Sequence, residues 1–435
     1  MAKKKVLIIT YYWPPSGGSG VQRWLKFAKY LPEYGWEPII YTPSNPEYPV
    51  EDKSLIKDVP KEITVIKRPI KEPYSLYKIF SGKKTSEKIQ TGFLNESSSK
   101  SIFENIFRWI RGNMFIPDAR KNWIKPSVKF LSKWLEENPV DIIVSTGPPH
   151  SMHLIALGLK KIHDIKWLAD FRDPWTQIDF YHHLMLTKKA DKKHKYLEKE
   201  VLNNADHVTT VSNNCATGLE KISGKKTEVI TNGYDPDDFL NCADFSYNHF
   251  SITHLGSMNK DRNPSALWQA LNEASEDIPE IKKHLKIKLI GKTDYAVFKD
   301  IEKHGLTHYL EQVKYLPHDE ALNFASNSAI LLLALNNTPN IKSIITGKVF
   351  EYLALKRPIL CIGHKSGDAA ELLKKTKSGI SFNPDEVDDI KSYLKKQFDN
   401  FQQRSLKVKS ENIEQYSRPE LTKKMVGLFN TSSKT

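Results

Sequence analysis

Residues 5–42 read KVLIITYYWPPSGGSGVQRWLKFAKYLPEYGWEPIIYT, and this stretch decides the fold. The run Lys5–Thr10 is apolar and β-branched, which is typical of a strand buried on both faces. The Pro/Gly-rich loop Trp13–Gly20 follows it, and the apolar spacing of Val21–Leu31 predicts an amphipathic helix. Trp36–Thr42 predicts a second strand. Strand, helix and strand in this order indicate a parallel α/β sheet.

The same order of elements recurs along the chain. The runs Asp141–Thr146, Lys166–Ala169 and Ala205–Val211 predict further strands of the first sheet. A second series of alternating strands and helices begins after Asn232-Gly233. We therefore predict two Rossmann-like domains that face each other across a central cleft, with ligands at the carboxyl ends of the strands.

The predicted domain ranges follow from this division. Residues 1–211 form the N-terminal Rossmann-like domain, with a basic and aromatic insertion at about 70–125. Residues 212–405 form the C-terminal Rossmann-like domain. Residues 406–435 add a helix that packs back on the N-terminal domain and a polar tail.

Composition excludes several classes of protein. The chain has 435 residues, 39% of them hydrophobic, so a fully disordered chain is excluded. Three scattered cysteines cannot make a disulfide framework, which favours a reducing, cytoplasmic compartment. The apolar runs are too short for a signal peptide or a membrane span. A net charge of +14 is compatible with nucleic acid, an anionic membrane surface or a phosphate-bearing small molecule as a partner.

Two motifs carry residues suited to binding a nucleotide diphosphate. The loop containing Gly17, Gly18 and Gly20 opens a helix, where backbone N–H groups and the helix dipole favour a phosphate. The alternative for this loop is an ordinary tight turn. In the segment TGKVFEYLA (346–354), Lys348 and Glu351 lie on one face of a helix, where they can contact a phosphate and ribose hydroxyls. The alternative for this pair is a solvated salt bridge.

Three segments together resemble a GT-B glycosyltransferase of the retaining glycosyltransferase family 4. They are PPSGGSG (14–20), VITNGYDPDDF (229–239) and GKVFEYLALKRPIL (347–360). The resemblance implies that the glycine loop contacts the donor and that Glu351 is the second Glu of an E-x7-E element, on the ribose. It also implies a basic pair for the diphosphate after the first strand of the second domain. The N-terminal domain is then the acceptor side and the C-terminal domain binds the nucleotide sugar.

The chain departs from the family pattern at three places. Ser343 stands where the first Glu of the E-x7-E element is expected, and the basic pair has become Ser257 and Arg262. Lys348 is then the candidate for the missing positive charge. The family's histidine in the N-terminal domain has His150 as its candidate, opening a helix after a strand.

The motif DFRDPW (170–175) allows two interpretations. Asp170 and Arg172 can act with His150 as catalytic or acceptor-orienting groups at a strand end. Alternatively, an internal Asp–Arg ion pair holds the loop, and His150 is structural. A second acidic motif, Asp235-Pro236-Asp237, is better explained as a turn and helix cap than as a metal site. We therefore predict no metal and no cofactor.

The predicted function is transfer of a sugar from a nucleotide-diphosphate-sugar to the hydroxyl of a sugar or lipid-linked acceptor. The resemblance implies retention of configuration and a role in cell-surface polysaccharide or glycolipid synthesis. A nucleotide-sugar epimerase of GT-B shape is the alternative. A nucleic-acid binder is disfavoured, because lysines and arginines are interspersed with acids and no binding motif is present.

The segment Ser101–Phe115 predicts contact with a membrane. It places Ile, Phe and Trp beside Arg108 and Arg111, a composition typical of an interfacial helix. This predicts peripheral association with the anionic inner face of the plasma membrane. The alternative is that these aromatic residues pack against the N-terminal sheet.

Overall fold

The computed structural model describes residues 3–48, 50–72, 109–243, 245–314, 316–406 and 408–431. The chain divides into two compact units, Met1–Thr231 with Leu421–Thr435, and Asn232–Glu420. Each unit contains one parallel sheet with helices. The predicted α/β class with two Rossmann-like units is confirmed.

The first unit is built on a seven-stranded sheet. Its strand order is β3-β2-β1-β4-β5-β6-β7. The strands are β1 Lys4–Ile9, β2 Trp36–Pro43, β3 Thr64–Arg68, β4 Ile142–Gly147, β5 Lys166–Phe171, β6 His207–Thr210 and β7 Glu228–Val229. Ile8 of β1 pairs with Ile40 on one side and Val144 on the other, and all three are fully buried. Burial on both faces explains why these strands are continuous apolar runs.

Helices cover both faces of this sheet. They are Ser19–Tyr30, Lys121–Glu137, Ser151–Lys160, Lys188–Asn204, Asn213–Ser223 and, at the end of the chain, Arg418–Asn430. The last of these brings Leu421, Met425 and Phe429 into the same core as Trp36. The rings of Phe429 and Trp36 are 5.0 Å apart. The C-terminal helix thus completes the hydrophobic core of the first unit.

The second unit is built on a six-stranded sheet with the order β10-β9-β8-β11-β12-β13. The strands are β8 Phe250–Leu255, β9 Leu285–Ile290, β10 Leu310–Val313, β11 Ile330–Ala334, β12 Ile359–Ile362 and β13 Gly379–Phe382. The α-helices are Ser265–Asp277, Glu280–His284, Tyr295–Lys303, His318–Ser326, Gly347–Leu355, Asp368–Thr376 and Val387–Gln402. Two apolar cores, one on each face of the sheet, hold these helices.

The boundary between the units lies at 231/232 and not at the predicted 211/212. The reason is that strand β7 pairs with β6 and so belongs to the first sheet. Helix Asn213–Ser223, which connects these two strands, belongs to the first unit with them. The insertion, predicted at about 70–125, ends before residue 121, because helix Lys121–Glu137 already packs on the first sheet. Residues 73–108, which hold most of the insertion and of the predicted membrane segment, lie outside the described residues.

Within the described part of the chain, no helix combines the length and the hydropathy that a membrane crossing requires.

Candidate functional site

The carboxyl end of β8 in the second unit depends on two glycines. Gly256, directly after β8, has φ +89°, in the left-handed region that side chains disfavour. A Cβ on Gly291 would lie 2.8 Å from the Gly256 carbonyl carbon. The Gly256 amide donates to the carbonyl of Ile290 at 2.7 Å. The backbone at Gly256 can therefore lie close to the backbone at Gly291, and space remains beside Gly256.

Lys348 occupies this space from the first turn of helix Gly347–Leu355. Its ammonium donates to the carbonyl of Leu255 and, at 3.2 Å, to Nε2 of His254. A Cβ added to Gly256 would lie only 3.2 Å from Nζ. Lys348 is thus held at the strand end, close to the backbone that would meet a bound phosphate.

His254 holds the lysine through a fixed tautomer. Its ring is fully buried, and Nδ1 lies 3.0 Å from the carbonyl of Leu332. Because a carbonyl can only accept, Nδ1 carries the proton and Nε2 is the acceptor for Lys348. Burial lowers the pKa of His254 well below its ordinary value, and the nearby charge of Lys348 lowers it further. The ring therefore stays neutral.

The lysine itself is placed where a positive charge is costly. Burial lowers the pKa of Lys348 well below its ordinary value, and the positive charge of Arg262 adds to this effect. Glu351 acts in the opposite direction but does not outweigh burial. An anion bound here would favour the charged lysine, since an opposite charge stabilises the ionised form.

Glu351 lies one turn further along the same helix and has a histidine partner. Nε2 of His318 lies 2.9 Å from its Oε1. Burial alone would raise the pKa of Glu351, but His318, followed by Lys348 and Arg418, outweighs burial and the pKa is lowered. The carboxylate therefore stays ionised, as an acceptor of hydroxyl hydrogen bonds must be.

Arg262 approaches the same strand end from the loop after β8. Its Nε donates to Oδ1 of Asn336 at 3.0 Å, and Nη1 donates to the carbonyl of Ser257 at 2.9 Å. Ser257 contributes its backbone carbonyl here. The structure thus brings Ser257, Arg262, Lys348 and Glu351 to one edge of the second sheet. Two basic side chains and a carboxylate therefore lie close together there.

Ser343 lies in the short helix Ile341–Ser343, and its hydroxyl donates to the carbonyl of Asn340 at 2.8 Å. A serine has no carboxylate for sugar hydroxyls, so the first Glu of the family element has no substitute at this position.

The glycine loop of the first unit is shaped by its packing. The Gly17 amide donates to the carbonyl of Val50 at 2.9 Å, so it is already used within the loop. Gly18 has φ +87° and begins helix Ser19–Tyr30, whose N-terminus has no side-chain cap. Gly20 packs beside Tyr12. The uncapped helix end is suited to an anion, but Gly17 itself cannot donate to one.

Arg172 connects the glycine loop to the loop after β4. Its Nη1 donates to the carbonyl of Gly20 at 2.9 Å, and Nη2 donates to the carbonyl of Pro148. Burial lowers the pKa of Arg172, with Asp173 and Asp170 opposing the shift. The structure therefore places Arg172, a predicted catalytic residue, against Gly20 of the predicted donor-binding loop, and Arg172 positions that loop.

Asp170 is a buried structural anchor. Its side chain is fully buried and accepts from Arg23 at 2.8 Å, Trp24 at 2.7 Å, Thr146 at 3.1 Å and Thr209 at 2.9 Å. Burial opposes ionisation, but Arg23 outweighs it and the pKa of Asp170 is lowered. This geometry does not support the predicted catalytic role. It corresponds to the alternative of an internal ion pair, with Arg23 as partner in place of Arg172.

His150 is buried in a stack of rings. It is 7% exposed and lies parallel to Trp175, with ring centroids 4.7 Å apart. Burial lowers its pKa well below the ordinary value, and the neighbouring His153 lowers it further. Among the described residues, Nδ1 of His150 has no hydrogen-bond partner. A neutral ring can accept a proton, but its burial restricts access to it.

Two residues that the sequence analysis missed hold the DFRDPW loop. Glu198 is fully buried and accepts from the amides of Trp175 and Thr176, each at 3.2 Å. His194 accepts from the Trp175 indole at 3.0 Å. Polar residues on the buried face of helix Lys188–Asn204 were the available signal.

Asp235 caps the short helix Pro236–Phe239 by accepting from the Asp237 amide at 3.2 Å.

A cavity of about 250 Å³ lies at the carboxyl ends of β1 and β2. Its walls include Trp13, Thr42, Asn45, Tyr48, Glu51 and Lys67. This volume is close to the lower end of the range for small-molecule sites. Aromatic and hydrogen-bonding side chains together are suited to a polar ring with apolar faces.

A sequence comparison identifies a known domain family. The profile described as Glycosyltransferase Family 4 matches residues 92–238. A search of curated proteins found no significant sequence match. The matched range contains all but the last residue of the motif 229–239 and neither of the segments 14–20 and 347–360, so it confirms the resemblance to this family over residues 92–238.

Solved structures share the fold over nearly the whole chain. A glycosyltransferase from Rickettsia africae superposes with a TM-score of 0.61 at 16% identity, covering 99% of this chain and 98% of that one. A sucrose-phosphate synthase from Thermosynechococcus elongatus gives 0.65 at 12%, covering 98% of both chains. An E. coli structure titled trehalose-6-phosphate bound with UDP-2-fluoro glucose gives 0.59 at 11%, covering 99% of both. The predicted GT-B fold is confirmed.

The epimerase alternative has a weaker counterpart. A Listeria monocytogenes protein described as a UDP-N-acetylglucosamine 2-epimerase superposes with a TM-score of 0.56 at 11% identity, covering 98% of this chain and 95% of that one. The family match supports sugar transfer instead.

Proposed function

From the premise that this chain is a glycosyltransferase with the GT-B fold, we propose that it uses a nucleotide-diphosphate-sugar as donor. The observation that carries the proposal is the group of charges at the end of β8. Lys348 and Arg262 supply positive charge beside Gly256, and Glu351 supplies an ionised carboxylate one turn away. The E. coli structure named above, with its UDP-2-fluoro glucose, is consistent with such a donor.

The proposed mechanism gives each of these residues one task. As the bond between sugar and diphosphate breaks, negative charge grows on the leaving phosphate oxygens, and Lys348 and Arg262 stabilise it. His254 and the carbonyl of Leu255 accept two of the three ammonium hydrogens of Lys348, which leaves the third for a phosphate oxygen. Glu351 accepts hydrogen bonds from the ribose.

The acceptor hydroxyl is proposed to come from a sugar or a lipid-linked sugar. The cavity beside Tyr48 supports a sugar ring as the acceptor group, because the Tyr48 ring and hydrogen-bonding side chains such as Asn45 and Glu51 line it, while Trp13 is only 2% exposed. The family resemblance supports retention of the anomeric configuration and a reaction without a metal ion. A role in cell-surface polysaccharide or glycolipid synthesis would place the enzyme in the cytoplasm, at the inner face of the plasma membrane.

The donor and the stereochemistry are tested together. A panel of nucleotide sugars is screened by thermal shift, because a ligand that binds only the folded state raises the Tm. The product from the best donor is then examined by NMR with and without a chelator. We expect one nucleotide sugar to raise the Tm, the anomeric configuration to be retained and the chelator to have no effect. Inversion, or loss of activity with the chelator, would contradict the mechanism.

A further inference from the structure

Helix Lys188–Asn204 presents one strongly basic face. The residues of this helix that are exposed to solvent are Lys188, Lys189, Lys192, Lys193, Lys195, Tyr196 and Lys199. We call its six exposed lysines the lysine face. Asp191 is half-buried and pairs with Lys195 at 2.8 Å, and Glu198 is fully buried against the loop of Trp175. Glu200 is also half-buried and pairs with Lys161 at 3.5 Å. The exposed side of this helix therefore carries six lysines against two partly exposed, paired carboxylates.

Large apolar side chains lie exposed beside the start of the lysine face. In the loop that precedes the helix, Phe180 is 46% exposed and Met185 is 48% exposed. In the helical residues 109–114, Trp109 is 41% exposed and Met114 is 58% exposed. These four are among the most exposed large hydrophobic residues of the first unit.

Hydrogen bonds hold the two apolar segments together. The Asn113 side chain donates to the carbonyl of Met185 at 3.1 Å and accepts from the Thr187 amide at 2.7 Å. Gly112 packs so closely that an added Cβ would lie 2.6 Å from the carbonyl of Leu184. The two apolar segments are therefore held together beside the N-terminus of the helix that carries the lysine face, where the carbonyl of Gly112 also lies 3.3 Å from Nε2 of His194 on the buried side of this helix. The candidate surface consists of these segments and the lysine face.

We propose that this surface docks the enzyme on an anionic membrane. Lysines beside a membrane are attracted to anionic headgroups, and apolar side chains next to them can enter the interface between headgroups and acyl chains. A nucleic acid would also bind the lysines, and its bases can stack on an aromatic ring, but the flexible apolar side chains of Met114 and Met185 beside the lysines are better suited to acyl chains. The combination of charge and apolar residues therefore favours lipid over nucleic acid.

This inference deepens the proposed function, on which its link to a lipid-linked acceptor rests. It assigns membrane contact to described residues of the loop 180–187 and the helix that follows. Bound in this way, the first unit would meet an acceptor anchored in the same membrane.

The charge contribution is tested with vesicles and a matched pair of variants. The first variant carries Lys188→Gln, Lys189→Gln, Lys192→Gln and Lys193→Gln. The second carries the same change at Lys282, Lys283, Lys374 and Lys375, which are exposed lysines of the second unit. Both variants lose the same charge, and both keep side chains that favour helix.

We expect the wild-type chain to sediment with vesicles that contain phosphatidylglycerol and not with pure phosphatidylcholine. Each lysine at an anionic surface strengthens binding by roughly five-fold, so the first variant should bind ~10²-fold or more weakly and the second should bind like wild type. Equal binding by both variants, or no vesicle binding by the wild type, would overturn the proposal.

The apolar contribution separates lipid from nucleic acid. We expect Phe180→Ser with Met185→Asn to weaken vesicle binding while leaving binding of a duplex oligonucleotide unchanged; Asn is chosen because Met185 has φ +52°. Unchanged vesicle binding together with tight oligonucleotide binding would assign the surface to nucleic acid instead. Turnover of the nucleotide-sugar donor is measured in parallel, in the presence of a lipid-linked sugar acceptor. Vesicle binding without any donor turnover would refute the proposed function and leave the membrane surface standing.

Discussion

Replacing Lys348 by Met tests the proposed charge stabilisation at the end of β8. The substitution removes the ammonium and keeps an unbranched side chain of similar length. Two unit charges ~4 Å apart attract by ~4 kcal/mol at an effective dielectric constant of about 20. Burial of the lysine offsets part of this attraction. Loss of one preorganised donor to a developing anion costs about 2.7–4 kcal/mol, so we expect turnover to fall by ~10²–10³-fold.

The structure also predicts that Lys348→Arg does not rescue turnover. The ammonium already lies 3.2 Å from the position of a Cβ on Gly256, and it donates to the carbonyl of Leu255. A planar guanidinium is too wide for this space, so it would have to leave the strand end. An arginine at this position restores the charge but not its location.

The assay is the initial rate of nucleoside diphosphate release with saturating donor and acceptor, together with circular dichroism to verify the fold. The control is Lys374→Met, which removes an exposed lysine from helix Asp368–Thr376 and changes net charge equally. We expect this control to keep wild-type turnover. A folded Lys348→Met enzyme with near-normal turnover would refute the reasoning, because the diphosphate would then be neutralised elsewhere.

Lys348 also predicts a pH dependence of stability. Its pKa is lowered in the folded chain, mainly by burial, so between the lowered and the ordinary value the unfolded chain binds more protons. The free energy of unfolding should therefore rise with pH through this window. In Lys348→Met that rise should be absent, as measured by urea denaturation at several pH values.

Four further variants test the remaining contacts. Arg262→Ala should lower turnover by ~10²-fold, measured as above, because it removes the second cation. Glu351→Ala should weaken donor binding by about 3 kcal/mol in calorimetry, because two ribose hydrogen bonds to a carboxylate are lost; unchanged affinity would contradict this. Gly256→Ala should lower the Tm and turnover, since φ +89° costs a side chain about 1–2 kcal/mol. Asp170→Asn should cost ~3–5 kcal/mol of unfolding free energy by leaving Arg23 buried without its counter-charge. Burial opposes ionisation of Asp170, but Arg23 outweighs it and lowers the pKa of this carboxyl. The wild type should therefore lose the stabilisation from the Asp170–Arg23 ion pair as pH falls through that lowered pKa, and the variant should show no such loss.

The sequence predicted the elements whose apolar pattern is strong. The helix predicted to carry Lys348 and Glu351 on one face is present as Gly347–Leu355, and β1 is shifted by one residue from the predicted Lys5–Thr10. Three strands of the described part of the chain were missed: β3, β7 and β13. Strands β7 and β13 have two and four residues, which is too short for a periodic pattern to develop, and β3, with five residues, has no fully buried side chain to mark it. Omitting β7 also misplaced the domain boundary.

In the candidate site, the sequence predicted contacts between residues close together in the chain better than contacts between residues far apart in it. Lys348 and Glu351 could be grouped because helical spacing brings near neighbours in sequence together. Arg23 and Asp170 are 147 positions apart, so nothing in the local pattern revealed their ion pair. His254 had a usable signal, because a polar residue in the apolar strand β8 must find a buried partner. That signal is visible only once the strand is recognised as buried on both faces.

Transfer of a labelled sugar tests the central claim most directly. The enzyme is incubated with a nucleotide sugar labelled in its sugar ring, with and without vesicles containing a lipid-linked sugar acceptor. Nucleoside diphosphate release and the mass of every labelled product are followed together. We expect the label to appear on the acceptor, in amounts equal to the nucleoside diphosphate released, and only when acceptor is present. A labelled nucleotide sugar whose sugar has been epimerised without any acceptor, and with no diphosphate released, would contradict the account.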